Sequence, residues 1–143
     1  ILRTGVVFGY DPQGNNFFMQ LLRSQQEKRE LYLVSDQINN PTYIKQLVES
    51  IFKSIEFNCT GIYNITGTES LSRYDFALRI ASILNFNKSL LIPKKTSEFN
   101  QKALRPLNCS TSSLKFQQKT GYLLLLENAL QELKKVIVGN DNN

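Results

Sequence analysis

The chemistry open to this sequence is narrowed first by what it lacks. It contains no histidine, so neither Ser-His nor Cys-His nucleophilic chemistry has its usual base. Cys59 and Cys109 stand far apart, without CxxC spacing, and no zinc site or catalytic nucleophile is expected. Arg105 is the best single candidate for binding. A planar guanidinium can grip a diphosphate through two parallel hydrogen bonds, and the polar loop at residues 94–104 is long enough to close over a ligand. Its alternative role is a surface salt bridge. Asn16 could hydrogen-bond a phosphate or sugar from a helix start, or it and Asn15 could serve only as caps. Gln37, Pro41 and Thr42 form either a loop edge that shapes a base pocket or a proline-directed turn with a threonine cap.

Positioning these groups falls to alternating strands and helices. Residues 1–9 are β-branched and aromatic and close on Gly9, which predicts a strand buried on both faces of a parallel sheet. Phe17, Phe18, Leu21 and Leu22 then repeat at helical spacing, and Leu31 to Val34 reads as a short strand. Ile44, Leu47, Val48, Ile51, Phe52 and Ile55 keep one apolar stripe, predicting a helix packed on the core and capped by Thr42. Residues 61–67 read as a strand ending in a glycine turn. Ser72-Arg73-Tyr74-Asp75 has capping-box spacing ahead of Phe76, Ala77, Ile80, Ala81 and Leu84. A strand at residues 90–93, a short helix capped by Ser112 or Ser113 and running to Lys119, and a last helix near residues 124–138 complete the pattern. That last helix carries Glu127 early and Lys134-Lys135 late, as the helix dipole favours, and residues 139–143 are expected to fray. The class is α/β, and residues 1–143 read as one unit without repeat or linker.

Composition bounds the rest. The 41% hydrophobic content suits a globular domain that buries a core, and no apolar run is long enough for a membrane span. The net charge of +5 is spread over scattered bases, so a nucleic-acid partner is not expected, whereas a small anion such as a nucleotide diphosphate fits the balance. Idle thiols in a reducing compartment favour a cytoplasmic location. Four Asn-x-Ser/Thr triplets begin at Asn58, Asn64, Asn87 and Asn108, but Asn64 falls inside a predicted strand where a glycan would not fit.

Five stretches in order carry a family resemblance: Leu2-Arg3-Thr4 with Phe8-Gly9; Gly14-Asn15-Asn16-Phe17; Asp36-Gln37 with Pro41-Thr42; residues 61–67; and Arg105-Pro106 with Asn108. Together they resemble the dTDP-4-dehydrorhamnose reductases, a family of extended short-chain dehydrogenases, over essentially the whole chain. The resemblance implies the C-terminal, substrate-binding portion of a Rossmann-like fold with mixed strands and helices. It implies NADPH-dependent (or NADH-dependent) reduction of the 4-keto group of a dTDP-sugar, with a nucleotide-sugar substrate and room for a homodimer. The family's catalytic Tyr and Lys stand in a YxxxK helix just before the strand that matches Leu2-Arg3-Thr4, and its glycine-rich phosphate turn lies earlier still. No catalytic residue is therefore expected within this sequence, and such a fragment is expected to expose a bare strand edge and apolar surface.

By the same resemblance, Thr4, Gly5 and Val6 lie beside the nicotinamide and the sugar, their alternative being a plain strand end. The reductases usually place Ser-Trp where this chain has Gly5-Val6, so an aromatic wall against the sugar is missing. Two other readings share the fold: a regulatory protein like the beta subunit of methionine adenosyltransferase, and another nucleotide-sugar epimerase or dehydratase.

Overall fold

A computed structural model of the chain describes residues 1–140. The elements in order are β1 (Leu2–Arg3), β2 (Val7–Phe8), α1 (Phe17–Gln26), β3 (Leu31–Val34), β4 (Ile38–Asn39), β5 (Thr42–Tyr43) and α2 (Ile44–Glu56). There follow β6 (Tyr63–Asn64), β7 (Leu71–Ser72), α3 (Arg73–Leu84), β8 (Leu91–Lys94), α4 (Leu114–Thr120) and α5 (Leu126–Asn140). Three pairings are parallel, β1 with β6, β2 with β5 and β3 with β8, while β4 and β7 run antiparallel. This is the expected α/β class with mixed strands.

The single strand expected over residues 1–9 is two short strands with different partners. Leu2 faces Tyr63 in one register and Val7 faces Thr42 in the other, so the chain must shift sheets between them. Residues 1–5 are exposed, with Ile1 at 77% of its full surface, which overturns burial on both faces. A period-free apolar run reports hydrophobicity but not which neighbours cover it.

The main core gathers where β2 and β5 meet α1, α3 and α5. Phe8, Phe18, Leu21, Phe76, Ile80, Leu130 and Leu133 are buried there, and Phe8 meets the Phe76 ring edge-on at 4.8 Å. A smaller cluster of Tyr63, Ile65, Phe116 and Leu124 sits under α4. Leu124 was expected to open the last helix. Instead it is buried in this cluster, and its carbonyl accepts from Thr68 N–H, so α5 begins at Leu126. At the other end α5 continues through Gly139 to Asn140 where fraying was expected, and residues 141–143 lie outside the described residues.

The capping predictions divide. Asn16 caps α1, its side-chain oxygen accepting from the backbone of Phe18 and Met19, and the Ser72 hydroxyl accepts from Asp75 N–H at the start of α3. Thr42, however, does not cap α2. It lies in β5, Tyr43 occupies the cap position without a side-chain bond, and the Thr42 hydroxyl bonds Asn40 O and Gly67 N instead. Gly67 is required there, because a β-carbon would come within 2.0 Å of the Pro41 carbonyl oxygen.

The α2 expectation is also corrected. Ile44, Val48, Ile51, Phe52 and Ile55 face outward, with Phe52 67% and Ile55 69% exposed, and only Leu47 of the stripe packs on the smaller core. The inward face carries Gln46, Ser50 and Ser54. Gln46 donates to the Leu125 carbonyl at 2.9 Å, and the two serines bond back to the helix carbonyls one turn earlier. Amphipathic spacing located the helix, but a narrow polar face made the close contact and left the wide apolar one bare.

Among the described residues no helix is long and apolar enough to cross a membrane, and no group of His, Cys, Asp and Glu is arranged to hold a metal. Both cysteines are free thiols. The buried Asn40 amide donates to the Gly67 and Glu69 carbonyls and accepts from Thr111 N–H, so replacing it with alanine should cost about 1–3 kcal/mol by leaving backbone partners unsatisfied, measured by urea denaturation. Placing glutamate at both Phe52 and Ile55 should leave the unfolding midpoint nearly unchanged yet reduce binding of a hydrophobic dye, since those side chains contribute little to the core.

Candidate functional site

A cleft of about 420 Å³ opens between the start of α1, strand β3, the first residue of α3 and the loop that follows β8. The Phe17 and Gln20 side chains line it from α1, and residues 31–34 of β3 form its floor. Arg73 enters from α3, while Phe99, Gln101, Lys102, Ala103 and Arg105 close it from the loop. The local reason is a set of tight chain ends. The Asn16 cap fixes the entry angle of α1, and the Ser72–Asp75 cap fixes the start of α3, which together set Phe17 beside Arg73.

The electrostatics are unusual for a protein surface. The Arg73 guanidinium lies over the Phe17 ring, 5.6 Å from its centroid, while the residue as a whole remains exposed. Burial, followed by the positive charge of Arg105, holds its pKa below the ordinary value. Among the described residues neither Arg73 nor Arg105 forms a salt bridge with a carboxylate, whereas Arg79 is paired with Glu69 at 2.9 Å. Two guanidinium groups brought together without a counter-charge, and flanked by Phe17, Tyr32 and Phe99, suit an anion that carries a flat ring.

The loop over the cleft is held from one segment. Asp36 Oδ1 accepts from the Thr96 backbone N–H at 2.9 Å and from the Thr96 hydroxyl at 2.6 Å. The hydroxyl bond is the chief cause that holds the Asp36 carboxyl below its ordinary pKa. Gln37 Nε2 donates to Thr96 Oγ1 at 3.0 Å and to Gln101 Oε1 at 3.4 Å. At the far end Ile38 N–H donates to Leu107 O, and Cys109 N–H donates to Ile38 O.

The structure gathers some of the candidates and separates others. Arg105 lines the cleft. Val6 and Pro41 line a narrow hollow that shares Phe17 and Arg73 with it, so these three candidates stand around one pair of side chains. Gln37 lies beneath the loop, bonded to the cleft residue Gln101. Asn16 adjoins the cleft, but its amide is committed to the cap and to donating to Gly9 O at 3.0 Å. Thr42 is enclosed, with its hydroxyl bonded as described above. Thr4 and Gly5 lie on the exposed link between β1 and β2, outside the cleft. Arg73, Phe17 and Gln20 were missed. Arg73 sits inside capping-box spacing, where an arginine is ordinary, and only the tertiary approach of Arg105 gives it significance.

Comparison with known proteins places the fold in a family. The RmlD substrate binding domain family matches residues 1–137. The Bacillus subtilis spore coat polysaccharide biosynthesis protein SpsK is 36% identical over 106 residues, covering 74% of this chain and 36% of that protein. A dTDP-4-dehydrorhamnose reductase of Aggregatibacter actinomycetemcomitans is 34% identical over 135 residues, covering 85% of this chain and 44% of its own length. A dTDP-4-dehydrorhamnose reductase from Bacillus anthracis, solved in complex with NADP, superposes with a TM-score of 0.82 at 30% identity over 92% of this chain and 46% of that one. A UDP-N-acetylglucosamine 4-epimerase from Bacillus cereus, at 18% identity and a TM-score of 0.72, shares the fold. The chain thus spans less than half the length of these relatives, and within that span the order of elements and the matched residues show that it belongs to the RmlD substrate binding domain family.

Proposed function

We propose that this chain is the substrate-binding part of a dTDP-4-dehydrorhamnose reductase and that it holds a dTDP-sugar in the cleft between Arg73 and Arg105. The observation that carries this reading is the pair of guanidinium groups without a carboxylate partner, beside Phe17, Tyr32 and Phe99. The diphosphate bridges Arg73 and Arg105, relieving their mutual repulsion, and the thymine ring lies against the aromatic side chains. Lys102 adds a third positive charge at the cleft wall.

The other candidates take their roles from where they stand. Pro41 and Val6 border a small hollow that shares Phe17 and Arg73 with the cleft, and this adjacency supports a sugar end directed toward Thr4, Gly5 and Val6. Asn16, Gln37 and Thr42 act one step back, holding α1, the loop and β5. The relatives' chemistry requires a nicotinamide dinucleotide, which supplies the hydride that reduces the sugar ketone when bound. The residues present fit only one side of such a group. Thr4 and Gly5 offer an open, exposed backbone wall, but Gly5, Gly9 and Gly14 form no glycine-rich turn opening a helix, the usual cradle for its pyrophosphate. This chain's own contribution to reduction is therefore to grip the nucleotide and orient the keto sugar along Val6.

Titration calorimetry of the chain with thymidine diphosphate tests the reading. Saturable binding is expected, and Arg105→Gln and Arg73→Gln should each weaken it about 10- to 100-fold, the cost of losing a hydrogen bond to a charged partner. Arg105→Lys should recover only part of the loss, because an ammonium lacks the guanidinium fork. Affinity indifferent to both arginines would overturn the assignment of the cleft.

A further inference from the structure

We propose that Asp36, acting with Gln37, is a positioning residue that holds the loop between Thr96 and Leu107 in place and thereby sets Arg105 against Arg73 for anion capture. The proposal rests on the reading of the cleft given above and deepens it.

The loop has an electrostatic problem. It brings Arg105 toward Arg73 in one cleft, close enough that the two positive charges act on each other, and like charges repel. Hydrophobic contacts oppose the repulsion only through Phe99, which is partly buried, because Leu104 is fully exposed and Lys102, Arg105 and Leu107 are exposed as well. Polar bonds from one short segment hold both ends. At the near end Thr96 donates twice to the Asp36 carboxylate, and charge-assisted bonds of this kind are about twice as strong as neutral ones. The Gln37 amide spans Thr96 and Gln101, linking the anchored end to a residue that lines the cleft. At the far end Ile38 bonds on both sides of Asn108, which fixes the exit of the loop just after Arg105.

Asp36 is not among the residues lining the cleft and its Oδ1 is taken up by Thr96, so its carboxylate acts as an anchor and not as a ligand for the anion. Its effect on binding therefore runs through the loop. Removing it frees the near end, and the repulsion between the two arginines then favours conformations in which Arg105 stands apart. Empty protein loses little by this, whereas the complex must recover the ordering cost from the binding energy.

The test is a double-mutant cycle read by thymidine diphosphate affinity on the chain as it stands. Asp36→Ala and Thr96→Val should each raise Kd about tenfold, Thr96→Ser should restore affinity to within about twofold, and the unfolding midpoint should move little. In the Arg105→Gln background the effect of Asp36→Ala should vanish, which general destabilisation would not produce. Additive losses in the cycle, or unchanged affinity in Thr96→Val, would overturn the clamp while leaving the cleft intact. If the unmodified chain fails to bind thymidine diphosphate, the reading of the cleft fails and the clamp falls with it. Thr96→Val serves as the decisive variant should Asp36→Ala not fold.

Discussion

The side-chain amide of Asn40 is the constraint on which the other parts depend. Its Nδ2 donates to the carbonyls of Gly67 and Glu69 and to the Ser70 hydroxyl, while its Oδ1 accepts from Thr111 N–H. One buried group thus joins the turn before β5, the turn after β6 and the segment before α4. The contact is close enough that position 67 admits no side chain, and Thr42 answers from the next residue but one by accepting from Gly67 N–H. A buried amide with every bond made is worth more for geometry than for net stability, because each alternative arrangement leaves a polar group unpaired. With this junction fixed, β4 pairs with β7, Ser72 reaches its capping position and Arg73 points into the cleft.

The cleft follows from short elements rather than long ones. Among the described residues no strand pairing exceeds four residues and the strands form four separate pairs, which leaves open the space between β3 and the loop that follows β8. Into that gap the fold directs two arginines whose charges oppose each other. A protein stabilises such a pair with a carboxylate or leaves it for a ligand, and here the acidic groups nearby are used elsewhere. Asp36 bonds Thr96, Glu69 pairs with Arg79, and Asp75 bonds Ser72. The positive potential of the cleft is therefore available to an anion, at the expense of a local strain that the loop anchors must carry.

Much of the framework was legible in the residues. The caps at Asn16 and Ser72 and the β3 strand all rest on local rules of spacing and hydrogen bonding, and local rules are what a sequence displays. The strand over residues 1–9 failed as a single element because its two halves pair with β6 and β5, partners many residues away. The α2 helix was located correctly and faced wrongly. Periodicity says that a helix has two sides, but which side meets the protein depends on what the other elements offer, and here Leu125 O drew in Gln46.

At the site the same division holds. Arg105 could be singled out by its chemistry and by the loop before it, and Pro41 and Val6 by their place in a recognisable order of motifs. Arg73 could not, since its importance lies in a distance to another charge. By itself the sequence determined the class of fold, the family, the caps and the kinds of side chain available to bind an anion, because composition and short-range spacing fix these. Only the tertiary structure decided which of those side chains share a cleft, which stand behind it and which face of α2 is bare, because burial, electrostatic pairing and satisfied buried bonds depend on groups far apart in the chain.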